Sequence, residues 1–140
     1  MPKTSDKIDL AMLREMCKMV AQTEFLPKYL TEQGHCTEQE ITDRAFDIAM
    51  TMEQTHKQHY PETRKAYILD KTKSWEGCLA WYAGKIVGAQ LMAEIRGDTM
   101  LQNRFHQMKS REINERMEVE LTKNNEMVAE LMAMIMLSQI

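Results

Sequence analysis

The chain has 140 residues, 44% hydrophobic and 28% charged, a composition that suits one soluble globular domain with a single core. A net charge of -3 argues against a domain built mainly to grip nucleic-acid phosphates. Three cysteines, Cys17, Cys36 and Cys78, are an odd number with no Cys-x-x-Cys pair, which points to reduced thiols in the cytoplasm rather than a disulfide framework.

The first predicted helix runs from Ser5 or Asp6 to about Thr23. Either residue suits an N-cap, and Leu10, Leu13, Met16, Cys17 and Val20 follow at helical spacing. Pro27 breaks or restarts the chain, and a polar loop around Gly34 leads to the clearest helix start in the sequence. Thr37 and Glu40 have capping-box spacing, Ile41, Ala45, Ile48, Ala49 and Met52 share one face, and Pro61 ends the helix by Tyr60. Residues 61–76 read as charged and less regular, anchored by Tyr67, Ile68 and Leu69.

The stretch "GCLAWYAGKIVGAQLMAEIRG" (77–97) is read as a strand into a tight turn at Gly84, followed by a short strand or the start of a helix. Leu79, Trp81, Tyr82, Ile86 and Val87 have the strand preference on which that expectation rests. From Thr99 to residue 140 the chain reads as helix. Its last part, "EMVAELMAMIMLSQI" (126–140), is apolar on nearly every side from Met127 to Leu137, which demands deep burial or a partner chain. The expected fold is therefore a mostly α single domain of four or five helices, with at most one β-hairpin near 78–92. No apolar run reaches the roughly 20 residues needed to cross a bilayer, so no membrane role is expected.

Fourteen methionines are the unusual number, because Met is flexible and polarizable and suits adaptable interfaces. They are densest at the C-terminus. Met127, Val128, Leu131, Met132, Met134, Ile135, Met136 and Leu137 are the expected surface for a homo-oligomer or for a partner protein whose identity the sequence does not give.

Glu53 and His56 have the Glu-x-x-His spacing that places two metal ligands on one helical face. A di-iron bundle needs that motif twice with further glutamates, and the second occurrence, Glu32 to His35, falls in a loop. The competing reading is a solvated polar helix end, and no metal is expected. His35 and Cys36 are adjacent, but a nucleophile pair depends on geometry that adjacency does not supply. No nucleophile elbow, phosphate-binding loop or dinucleotide fingerprint is present, so neither catalysis nor a cofactor is expected. Lys65, Lys71 and Lys73 lie near Tyr67 and Trp75, a mixture that suits single-stranded DNA by charge and stacking. The alternative is an ordinary solvated surface.

Three segments resemble, in order, RecT-type phage single-strand annealing proteins. These are "MVAQTEFLPKYL" (19–30), "AFDIAMTMEQ" (45–54) and "AGKIVGAQLMAEIRG" (83–97). The resemblance implies a phage or prophage protein assisting single-stranded DNA recombination, with Lys28 and Lys85 as backbone contacts. The family's Gly-rich loop after the second helix is replaced by "KQHYPETRKAY". A shorter stretch, "LAWYAGKIVGAQLM" (79–92), is similar to the central hairpin of GNAT-type acyltransferases, whose pyrophosphate loop has no counterpart here. Together these readings lead to a small non-enzymatic binding protein, with a purely structural or regulatory helical oligomer as the competing class and a GNAT-like acyltransferase remnant or metal-binding bundle as the third.

Overall fold

The computed structural model describes residues 8–23, 26–69, 74–107 and 110–123. Seven helices carry them: α1 (Leu10–Ala21), α2 (Leu26–Glu32), α3 (Glu38–His59), α4 (Pro61–Leu69), α5 (Trp75–Arg96), α6 (Thr99–Gln107) and α7 (Ser110–Lys123). There is no strand among the described residues, and the α-helical bundle expected from the sequence is what the chain forms. Two of the extra helices, α2 and α4, occupy segments the sequence reading left as a break and as irregular chain. Pro27 and Pro61 both sit in a first turn, where the missing N–H has no helical partner to lose, so each proline starts a helix.

The hairpin expected at 78–92 is absent: that stretch lies inside α5, one helix of 22 residues. Its β-formers are packed rather than paired. Trp75, Cys78, Leu79, Ala80, Trp81, Tyr82, Ala83, Val87 and Leu91 are all buried, because α5 is surrounded by α1, α2, α3, α4 and α6. A helix covered on so many sides needs no polar face and shows no clean 3.6-residue pattern. Gly84 has a packing role instead of a turn role. A Cβ there would lie 3.4 Å from Val20 Cβ and far inside contact distance of Val20 Cγ1, so the missing side chain is what lets α1 approach.

Side-chain contacts fix the relative directions. The amide of Asp9 donates to Glu76 Oε1 (3.1 Å) while Val20 meets Gly84, so α1 and α5 run parallel. Arg44 reaches Gln90 (3.1 Å) and Glu94 (3.3 Å), whereas Glu53 meets Trp75, so α3 and α5 are antiparallel. Leu13, Met16 and Val20 from α1 fill the core with Ile41, Ala45, Ala49 and Met52 from α3.

The caps are explicit. Asp9, not Ser5 or Asp6, caps α1 by accepting from the amide of Met12 (3.0 Å); residues 1–7 lie outside the described residues. Thr37 caps α3 as expected, its hydroxyl accepting from the amide of Glu40 (3.1 Å). Ser74 caps α5 through the amide of Gly77 (2.9 Å). At the other end Gly97, with φ +67°, closes a Schellman motif in which its own amide reaches Glu94 and that of Asp98 reaches Ala93. The stretch expected as one C-terminal helix carries α6 and α7, with 108–109 and 124–140 outside the described residues.

Candidate functional site

The densest polar chemistry in the bundle lies where α3, α4 and α5 meet. Tyr60 ends α3, its amide still donating to the carbonyl of His56 (2.8 Å), and Pro61 immediately starts α4. This abrupt junction folds α4 back on α3 and brings Arg64 to Glu53. The guanidinium Nε of Arg64 donates to Glu53 Oε1, and the indole Nε1 of Trp75, first residue of α5, donates to Glu53 Oε2 at 3.0 Å. Glu53, Arg64 and Trp75 are 6%, 4% and 2% exposed, so the ion pair is buried and both carboxylate oxygens are engaged. One side chain therefore ties three helices together.

His56 sits one turn further along α3 and is 0% exposed. Its ring lies edge-on to Trp75 (centroids 4.8 Å apart) and tilted against Tyr60 (5.2 Å), and Tyr67 packs on Trp75 from α4 (5.7 Å). Neither ring nitrogen has a hydrogen-bond partner. Burial, reinforced by the charge of Arg64 and opposed weakly by its own backbone, pulls the imidazole down to about 4, so it is neutral at pH 7. From α7, the amide side chain of Asn114 donates to the carbonyl of Met52 (3.2 Å), and Thr63 donates to Glu118 (2.6 Å). Tyr60 lies within the electrostatic reach of Arg111 and Glu115 on α7, and burial first, then the Glu115 charge, raises its hydroxyl against the pull of Arg111. An open groove of about 640 Å³ reaches the Glu53–Arg64 pair from outside, lined by apolar Ile8, Leu10 and Met50 and polar Gln54, Lys57 and Gln58.

Glu53 and His56 therefore do share a buried face, which corrects the reading of a solvated helix end: Arg64 and Trp75, from other segments, bury and satisfy the carboxylate. The described residues bring no three His, Cys, Asp or Glu side chains into a metal-binding group. Cys17 and Cys78 are buried, and loss of hydration pushes both thiols up to about 12, with Arg14 opposing the shift at Cys17. Cys36 is raised by burial and Glu40 against the pull of Arg44, so none of the three thiols is poised as a thiolate.

The residues expected to meet single-stranded DNA are dispersed. Lys28 on α2 is half-buried and pairs with Glu32 at 3.8 Å. Lys65 is exposed on α4, and Lys85 is exposed on α5 with its ammonium over the rings of Trp81 (5.6 Å) and Tyr82 (6.0 Å). Lys71 and Lys73 lie outside the described residues. Trp75 is a correction: it is core, donating to Glu53, and offers no face for a base to stack on. The interface residues Met127, Val128, Leu131, Met132, Met134, Ile135, Met136 and Leu137 all fall outside the described residues. Arg64, Tyr60 and Asn114 were not anticipated. The one available signal was the buried-side position of Glu53 beside Met52, which demands a cationic partner.

Comparison with protein-family models, with curated proteins and with solved structures returns no match. No described helix is long and apolar enough to cross a membrane.

Proposed function

We propose that the chain is a non-enzymatic helical protein that works by binding protein, in the first place other copies of itself, through the Met-rich stretch 126–140. The observation that carries this reading is a mismatch between supply and demand for apolar surface. Ten of the eleven residues 127–137 are apolar in sequence, while the faces of α1, α3 and α5 are already buried against one another. A segment of that composition gains of order 25 cal/mol for each Å² it removes from water, so it favours association over exposure. The polar chemistry of the bundle supports the same direction: Glu53 is spent on Arg64 and Trp75, and the thiols are held protonated.

Light scattering on the intact chain and on one truncated before Glu126 tests this. The intact chain is expected to be a defined oligomer and the truncated one a monomer; two monomers refute the proposal.

Assistance to single-stranded DNA recombination is a second reading, supported by the exposure of Lys65 and Lys85 and by the order of the three RecT-like segments. The burial of Trp75 removes its aromatic component, leaving a charge-only contact that weakens steeply with salt. Anisotropy of labelled oligo-dT across a salt series decides it, and absence of binding at low salt ends that reading.

A further inference from the structure

The imidazole of His56 has no assigned role in binding, yet it occupies an unusual place. It is fully buried at the junction of α3 with α4 and α5, between the rings of Tyr60 and Trp75, with neither nitrogen hydrogen-bonded. We infer that His56 is an acid-sensitive latch, whose protonation loosens α4 and the start of α5 from α3 and opens the Glu53–Arg64–Trp75 junction.

The geometry leaves a protonated ring unsupported on each side. Along α3, the carboxylate of Glu53 lies one turn back from His56, and its two oxygens already accept from Arg64 and Trp75. Lys57 and His59, the charged and titratable neighbours further along α3, are exposed to solvent. From α4, Arg64 presents a positive charge that repels an imidazolium. From α5, Trp75 presents an uncharged indole whose N–H is committed to Glu53, and Glu76 beside it already accepts from the amide of Asp9. From α7, the charges of Arg111 and Glu115 are paired with each other at 3.6 Å, and Asn114 donates to the Met52 carbonyl while its Oδ1 makes no bond to the ring. Protonation therefore creates a buried cation next to another cation, and the low-cost escape is separation of the helices that bury it.

The direction follows from linkage. The folded state holds the ring neutral down to about pH 4, whereas an exposed imidazole takes up its proton near 6.5. Above pH 6.5 the two states bind equally few protons and the latch is closed. As pH falls from 6.5 toward 4 only the opened state gains the proton, so opening becomes progressively easier, and below 4 the effect levels off.

Amide hydrogen exchange, corrected for intrinsic rates, reads this directly on the intact chain. Peptides covering 52–69 and 74–82 are expected to lose protection by about twentyfold between pH 7 and pH 5, while peptides in 10–20 change far less. His56→Phe, which fills the aromatic site without a titratable group, is expected to flatten that dependence. Equal loss of protection in wild type and His56→Phe overturns the latch, as does a wild type that keeps its protection at pH 5. Should His56→Phe fail to fold, the proton titration of the four histidines in the wild-type protein, with His56 assigned by its rings' shielding, still decides the matter. A midpoint below about 5 supports the inference, and one at or above about 5 overturns it.

Discussion

Gly84 is the position where one methyl group tests the packing of the whole bundle. An alanine there has the higher helix propensity, worth about 1 kcal/mol in a free helix, and α5 is continuous through the site. Against this stands the clash with Val20. That side chain is 2% exposed and β-branched, so in α1 it is confined to essentially one rotamer and has nowhere to swing. Forcing a methyl into such contact costs about 3 kcal/mol, toward the upper end for overpacked cores, which leaves a net destabilisation of about 2 kcal/mol. For a chain of this size that lowers the melting temperature by about 6 °C. Urea titrations of wild type, Gly84→Ala, Val20→Ala and the double variant measure it. Val20→Ala alone is expected to cost about 2 kcal/mol through the cavity it leaves. In the Gly84→Ala background it should cost much less, because the new methyl occupies the vacated space, giving a coupling of at least about 1 kcal/mol. A Gly84→Ala protein as stable as wild type, or strict additivity in the cycle, refutes the close approach of α1 and α5.

Three further outcomes follow from the same packing. Glu53→Ala should cost about 3–5 kcal/mol in urea unfolding, since it leaves Arg64 buried without its carboxylate and Trp75 without an acceptor, whereas Glu53→Met with Arg64→Met should cost less than either single change. Thr37→Ala should lose about 1 kcal/mol by thermal denaturation, with Thr37→Ser retaining most of the stability, because the hydroxyl holds the Glu40 amide. Ellman's reagent at pH 8 should label Cys36 well before Cys17 and Cys78, whose thiols are pushed up to about 12 by burial; all three should react in urea, and rapid native labelling of Cys78 would contradict its place in the core.

What the sequence made legible follows the range of the interactions involved. The start of α3 was readable because Thr37 and the Glu40 amide are three residues apart, and its apolar face because helical spacing is local. α5 was misread for a physical reason: buried against five other helices, it has no alternating polar face, and its glycines resemble turn residues until Val20 is known to sit against one of them. The Glu53 junction was half legible. The Glu-x-x-His spacing identified the two residues on α3, but Arg64 and Trp75 come from beyond a proline junction, and no local pattern announces a partner of that kind. Lysines flank Trp75 in sequence and suggest a surface, whereas its indole N–H is committed inward to Glu53.

The central position of α5 has a consequence for how the chain is made. α1 is complete at Ala21, yet the helix that buries its face is not complete until Arg96. At synthesis rates of 5–20 residues per second, that interval is roughly 4–15 s. During it Leu13, Met16 and Val20 have at most α2 and the antiparallel α3 to cover them, since the parallel partner has not yet been translated. The nascent protein thus presents a half-covered apolar surface for seconds.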